Sequence, residues 1–455
     1  MPVAPANDSG VGADTGVAND AAVVRDAGND GGVTPHDAGP TALCTGTGCN
    51  IVGIELMAAT SCVLRANGQV DCWGRGQDGE LGDGMRNHGD NCRLTAGEAN
   101  TDCSRTAVTV ALPGPAASIT SRGSIQTCAV LTTSHEVWCW GGQFYKLGSN
   151  LEHDRFSPEH LLVASAPIAD GATSVGTGFA NVCWVAADTH VQCIGAGGSG
   201  RLGNGTFNDS ATPVTVVGPD GTTPLTGILE VDTAGGHTCA RSADHLYCWG
   251  NNHYGQLGAG PTHQTCIATP TMYDCSNTAI EVTGVVATTI VDIELGNEFT
   301  CVLHNTGHVQ CWGGGQTGGL GTGDINATFT PVEPMGLSSV DELRVVDGNA
   351  CALRHDGSVW CWGPANEGQI GDGSMVHTTI NCIDSDGAPY DCQKTPVQVT
   401  GVSGVAHISV GEGHVCALTT TNQVWCWGES LRYQLGDEMR PMVQFAPVRV
   451  IALGP

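Results

Sequence analysis

From residue 51 onward, apolar positions alternate with polar ones in short runs, each closed by Gly, Asn or Asp. Period-two alternation bounded by turn residues predicts β-strands joined by tight turns. Strongly β-branched examples are Pro213-Val-Thr-Val, Pro396-Val-Gln-Val and Pro447-Val-Arg-Val. The pattern recurs as a unit, and recurrence at a period of 50 to 66 residues marks a repeat architecture. Its clearest copy runs Cys351-Ala-Leu-Arg-His-Asp-Gly-Ser-Val-Trp-Cys361-Trp-Gly363. Six further copies are bracketed by Cys62 and Cys72, Cys128 and Cys139, Cys183 and Cys193, Cys239 and Cys248, Cys301 and Cys311, and Cys416 and Cys426. A Gly follows two residues after each second Cys, at 74, 141, 195, 250, 313, 363 and 428, with Trp between them in six copies and Ile194 in the third. Next comes a G-x-L-G element such as Gly255-Gln-Leu-Gly258 or Gly368-Gln-Ile-Gly371, its first Gly replaced by Tyr145 and Tyr433 in two copies.

The spacing of the cysteines fixes a pairing. If Cys351 faces Cys361 across an antiparallel pair, the loop is His355-Asp356-Gly357. A three-residue hairpin loop places a left-handed residue third, which Gly accepts without steric cost. The same arithmetic puts Gly68, Gly307 and Asn422 at that position, Asn being the next most tolerant residue. Thr189 fits less well, and copies two and four have loops one residue longer and shorter. Directly opposed Cβ atoms lie within a small adjustment of disulfide distance. Alternation then sends each cysteine to one face and the flanking Trp pairs (Trp138/Trp140, Trp360/Trp362, Trp425/Trp427) to the other. Stacked blades would interleave disulfide and indole around a ring.

The combination Gly235-Gly-His-Thr-Cys239, Val359-Trp-Cys-Trp-Gly363 and Gly255-Gln-Leu-Gly258, repeated seven times over residues 51–453, resembles the regulator of chromosome condensation repeat. That resemblance implies an all-β, seven-bladed β-propeller, with repeats near 51–112, 113–167, 168–224, 225–284, 285–336, 337–400 and 401–455. The cysteine pair in every copy departs from the eukaryotic pattern and is similar to a secreted bacterial, disulfide-rich branch. Family functions are diverse, so the fold alone assigns none. Nucleotide exchange on a GTPase fits poorly with so many disulfides and so much negative charge. The family's light-sensing branch carries its sensing Trp in a G-W-R-H-T stretch, whereas Gly235-Gly-His-Thr, Gly411-Glu-Gly-His-Val and Gly296-Asn-Glu-Phe-Thr contain none. The Trp residues are therefore read as blade-packing core. A secreted propeller that inhibits β-lactamase by binding it with one ring face is the nearest functional analogy.

Composition sets the compartment and the partners. The 455 residues carry 17 Lys and Arg against 45 Asp and Glu, a formal net charge of −28, which repels nucleic acid and anionic membrane surfaces. With 66 Gly and 14% charged residues, long helices are disfavoured, and no 18-residue apolar run predicts a transmembrane segment. Twenty-two cysteines, an even number, fit a disulfide framework outside the cytosol, secreted, periplasmic or on the cell surface. The N-terminus has no basic or apolar export region, so an export signal is expected outside the chain as given. Residues 1–43, rich in Asp, Ala and Gly without an aromatic, are expected to be a disordered tether, and Cys44 and Cys49 to close a small ring at the domain entrance.

Candidate function lies in three insertions. Copies one, four and six carry 11 to 15 extra residues after G-x-L-G, each holding one further cysteine pair: Cys92 and Cys103, Cys266 and Cys275, Cys382 and Cys392. The second is always preceded by Asp, at 102, 274 and 391. Entering at one point of the repeat, the loops should emerge on one face, and stapling lowers the entropy lost on binding. Arg93, Tyr273, Asp274, Tyr390 and Asp391 are the candidate contacts for an unknown protein or glycan. Inert surface decoration is the competing reading of the same insertions. Asp384 and Asp386 read as a polar turn rather than a cation site. No catalytic, cofactor-binding or metal-ligating motif occurs, and His237 and His414, both two residues before a repeat cysteine, read as structural. The chain is thus expected to be a non-enzymatic, monomeric binding scaffold. A structural envelope spacer is the alternative, a nucleotide-exchange regulator is further away, and an enzyme would require acidic or His side chains converging at the ring axis.

Overall fold

The computed structural model describes residues 50–92, 102–121, 126–142, 154–160, 162–163, 166–167, 172–178, 180–261, 264–268, 271–377, 382–383, 388–437 and 443–453. The expected tether, the Cys44–Cys49 ring, Arg93, Asp384 and Asp386 lie outside them. Among the described residues seven antiparallel sheets form the blades of a propeller. Blade 1 comprises Ile51–Leu56, Thr60–Arg65, Val70–Arg75 and Asp102–Thr109. Blade 2 comprises Ala116–Thr120, Gln126–Leu131, Val137–Gly141 and Arg155–His160, and blade 3 Ser174–Thr177, Asn181–Val185, Val191–Gly195 and Ser210–Thr215. Blade 4 is Ile228–Ala234, His237–Ser242, Leu246–Asn251 and Thr271–Glu281, and blade 5 Ile290–Leu295, Phe299–His304, Val309–Gly313 and Thr328–Val332. Blade 6 is Val340–Val346, Asn349–Arg354, Val359–Pro364 and Cys392–Gln398, and blade 7 Val405–Val410, His414–Thr419, Val424–Glu429 and Val443–Arg449. First strands from all seven blades line the axis.

The hairpins follow from the cysteine spacing. In every blade the two repeat cysteines are direct cross-strand partners, with Cα atoms 4.1 Å apart and a disulfide between them. Gly68, Gly307, Gly357 and Asn422 have φ of 82°, 77°, 77° and 62°. Thr189 adopts the same conformation, φ 68°, while its hydroxyl accepts the Gly227 amide at 3.0 Å.

Packing between blades is a lock of three parts. The disulfide of one blade shares a buried cluster with the Trp of the next: Cys416–Cys426 with Trp73, Cys62–Cys72 with Trp140, Cys183–Cys193 with Trp249, Cys239–Cys248 with Trp312, Cys301–Cys311 with Trp362, Cys351–Cys361 with Trp427. Each of these indoles donates its N–H, over 2.7 to 3.0 Å, to the carbonyl of the variable residue of the neighbour's G-x-L-G element. The last Gly of that element lies against the indole, where a Cβ on Gly203 would stand 2.8 Å from Trp249 Nε1. Invariant Gly at this site is thus a packing requirement. Where Ile194 replaces the Trp in blade 3, it packs beside Trp184 on the Cys128–Cys139 bridge.

The ring closes without strand exchange, since blades 1 and 7 are each built from a continuous segment. Trp73 and the Ser61 hydroxyl donate to the Gln434 carbonyl at 3.0 and 2.8 Å, and His414 Nε2 lies 3.0 Å from Ser61 Oγ. His237 makes the equivalent contact to Thr300 Oγ1 of blade 5 at 2.9 Å. Both imidazoles are fully buried, and burial pushes their pKa down to about 3, so they are neutral hydrogen-bonding struts.

Candidate binding face

Antiparallel strand order places every first-to-second turn and every third-to-fourth connection at one end of the ring, and the second-to-third hairpins at the other. The three insertions therefore share one face with the turns at 57–59, 235–236, 296–298, 347–348 and 411–413. Three disulfides staple them, Cys92–Cys103, Cys266–Cys275 and Cys382–Cys392.

The recurrent Asp before the second stapling cysteine is an anchor. The carbonyls of Asp102, Asp274 and Asp391 accept the amides of Gly76, Asn252 and Ala365 at 3.0, 2.9 and 3.0 Å. Each of those donors stands four residues after the second repeat cysteine of its blade. The carboxylates hold the loop itself. Asp102 Oδ1 accepts the His88 amide at 2.8 Å, and Asp391 Oδ1 accepts that of His377 at 3.1 Å. Asp274 Oδ2 accepts the Asn252 side-chain amide at 2.5 Å. Asp274 and Asp391 are thus occupied within their own loops. Tyr273 is half-buried with its hydroxyl 2.6 Å from Ser199 Oγ of blade 3, and Tyr390 is half-buried opposite Cys382.

Side chains not singled out in the sequence give the face its chemistry. Large exposed apolar groups occur in the third-to-fourth connections and at the start of the fourth strands: Met85, Met272 and Met375 are 54%, 70% and 72% exposed, Val376 is 75% exposed, and Ile383, Phe207 and Phe329 are also exposed. Arg86 stacks over Phe156, 4.2 Å from the ring centroid, beside Met85.

Acidic groups converge at the axis, as a catalytic reading requires. A narrow channel of about 190 Å³ is lined by Glu55, Glu230, Asp232, Asp292, Glu294 and Arg344. Arg344 reaches Glu342, Glu294 and Asp292 at 2.8, 3.2 and 3.4 Å, and these carboxylates hold its guanidinium charged against the cost of burial. Glu294 also accepts the Val345 amide at 2.9 Å, and Asp232 accepts those of Thr233 and Leu295 at 2.9 and 3.1 Å. The channel acids therefore have structural work. On the loop face, Glu298, Glu412 and Glu429 are pushed up to about 7, first by burial and then by neighbouring carboxylates including Asp347 and Glu367. A signal for the channel was present: Glu55, Asp232, Glu294, Arg344 and Ser409 each precede a repeat cysteine by seven residues. Among the described residues no three His, Cys, Asp or Glu side chains have metal-holding geometry, and no helix is long and apolar enough to cross a membrane.

Seven disulfide-paired blades, six of whose joints combine disulfide, indole and G-x-L-G, form a propeller of the regulator of chromosome condensation type. Residues 244–303 and 356–418, and in a second description of the same repeat 290–318 and 405–434, match the Regulator of chromosome condensation (RCC1) repeat. The chain is similar to the ultraviolet-B receptor UVR8 of Arabidopsis thaliana, 28% identical over 398 residues that make up 83% of this chain and 77% of that protein. It is 26% identical over 290 residues to the E3 ubiquitin-protein ligase HERC2 of Homo sapiens, covering 63% of this chain and 5% of that protein. Human WBSCR16 shares the fold at a TM-score of 0.63 and 17% identity, covering 84% of this chain and 93% of the other. Prp20p of Saccharomyces cerevisiae does so at 0.63 and 17%, covering 88% and 87%. These matches support an RCC1-like repeat family for the chain.

Proposed function

We propose that this chain is an extracytoplasmic binding scaffold, tethered through residues 1–43, that takes a protein partner on the face carrying the three stapled loops. The supporting observation is the exposure of Met85, Met272, Met375, Val376 and Ile383 on loops that disulfides hold in shape. Exposed apolar groups clustered on one face mark interaction surfaces, and pre-ordered loops lose less entropy on binding. Ten disulfides among the described residues are consistent with an oxidising compartment. Propellers of this family are in general binding or regulatory proteins, and yeast RCC1 (Prp20) has been crystallised with Kap60.

Two observations favour other readings. His253, Tyr254 and Tyr273 form an aromatic group on the blade 4 loop, with ring centroids 4.5 and 6.1 Å apart, which suits a glycan. The carboxyls Glu412 and Glu429, near pKa 7 and beside Glu367, have the acidity of general acid–base groups and would suit an enzyme. Changing Met85, Met272, Met375 and Val376 together to Ser separates these cases. The protein-partner reading expects loss of capture with unchanged thermal stability. Unchanged capture, with loss instead on Tyr273→Ala, would favour the glycan.

A further inference from the structure

Two of the three stapled loops contain a buried imidazole clamped on both nitrogens. In blade 1, His88 Nδ1 lies 2.5 Å from Asp102 Oδ2 and Nε2 lies 2.9 Å from Asp83 Oδ2, with the imidazole 4% exposed. In blade 6, His377 Nδ1 lies 3.1 Å from Asp391 Oδ2 and Nε2 3.0 Å from Asp372 Oδ1, with 3% exposed. The spacings are identical: five residues from the first Asp to His, fourteen from His to the second. A neutral imidazole has one N–H and one lone pair, and an ionised carboxylate only accepts. An Asp–His–Asp triad with both bonds made therefore holds two protons between its three groups. Losing one sets a nitrogen lone pair against a carboxylate oxygen.

The third loop serves as an internal control. Its anchor Asp274 is held by the Asn252 side-chain amide, which also donates to the Gly260 carbonyl at 3.1 Å. An amide donor does not titrate, so this latch has no donor proton to lose as pH rises.

We propose that the loop of blade 1 is a proton-operated latch: it closes while its triad keeps the second proton and loosens when that proton leaves, whereas the blade 4 loop stays closed. This rests on the reading that these loops form the binding face, whose apolar rim would be ordered below the latch midpoint and mobile above it. The charged groups facing His88 are Asp83, Asp102 and Asp90, the last paired with Arg105 at 2.6 Å. Those facing His377 are Asp372 and Asp391. For His88, burial opposes the charge, but the hydrogen bonds to Asp83 and Asp102 outweigh it and raise the pKa to about 8. Because the folded value exceeds the unfolded 6.5, the latch's contribution is whole below pH 6.5 and lost as pH rises through 8. A rise of that size corresponds to a roughly 30-fold bias toward the closed loop.

The test uses the oxidised full chain and needs no partner, so its failure is distinct from failure of the binding reading. Side-chain nitrogen NMR of His88 follows its titration. Hydrogen exchange of peptides containing His88 and Asn252, corrected for intrinsic rate, reports each loop between pH 6 and 9. The expected result is a doubly protonated His88 ring persisting above pH 6.5 with a midpoint near 8, and protection at His88 falling at least tenfold by pH 9 while that at Asn252 holds. In Asp83→Asn, whose amide can donate to a neutral ring, the pH dependence in the blade 1 loop should disappear with the fold intact. A His88 midpoint at or below 6.5, or equal loss of protection in the blade 1 and blade 4 loops, would overturn the proposal.

Discussion

Replacing Gly203 by alanine disturbs the joint between blades 3 and 4 at one atom. Its φ of 64° costs an alanine about 1–2 kcal/mol, partly offset by about 0.4–1 kcal/mol from a stiffer unfolded chain. The added Cβ would also stand 2.8 Å from Trp249 Nε1 and 2.9 Å from Trp249 Cδ1 and Val216 Cγ1, so the indole must move. Overpacking costs about 1–3 kcal/mol. Moving the ring breaks the 2.9 Å bond from Trp249 to the Arg201 carbonyl, adding about 1–3 kcal/mol for unpartnered polar groups. Gly205 supplies the comparison: its φ is 82°, yet nothing lies within 4 Å of its Cβ position. Gly205→Ala should therefore cost about 1 kcal/mol and Gly203→Ala about 2–5 kcal/mol more. Urea unfolding of the oxidised variants, followed by Trp fluorescence, measures the difference. A gap below about 1 kcal/mol would refute the idea that the G-x-L-G glycine is fixed by the neighbouring indole.

Further outcomes follow from the same contacts. His237 and His414, neutral in the fold with pKa near 3, bind protons only when unfolded, so stability falls as pH drops from 6.5 toward 3. His414→Gln should shed its share, and the wild-type advantage over it should shrink by about 1.4 kcal/mol per pH unit below 6.5 in paired melts. A constant difference would contradict a buried neutral imidazole. The loop-face carboxyls Glu298, Glu412 and Glu429, raised to about 7, act in the opposite sense: stability is gained as pH falls from 7 to 4.5, and Glu412→Gln should flatten that rise. The seven repeat disulfides have cysteines no more than 1% exposed, so reductant without denaturant should leave them intact when free thiols are alkylated and weighed. Ready reduction of the folded chain would place them nearer the surface than the structure does.

The repeat chemistry was legible because it is local. Ten-residue cysteine spacing with Gly or Asn at the third loop position fixed the register, and alternation around Cys361 put disulfide and indole on opposite faces. The partner of each indole was less accessible. Nothing in a single repeat says that Trp312 donates to Gln256, since the bond joins two blades across 56 residues. The Asp before the second stapling cysteine stood out as a pattern, but its role did not. Asp102 meets His88 only once the insertion folds back, a distance that strand or helix periodicity does not encode. Exposure of Met85 and Met375 is likewise a property of loops, where no alternation separates inside from outside. Thr189 shows local preference overruled: a β-branched residue takes a left-handed turn because the hairpin around Cys183–Cys193 and its bond to Gly227 hold it there.

The claim that the stapled loops are the binding face is tested most directly by comparative capture. The oxidised chain and a variant whose blade 1, 4 and 6 connections are shortened to the length of blade 5 would be presented to extracellular and envelope fractions, each first shown to melt as a folded propeller. The account predicts a partner held by the complete chain and lost by the shortened one. The same partner on both, or none on either, would contradict it and leave the propeller as a structural spacer.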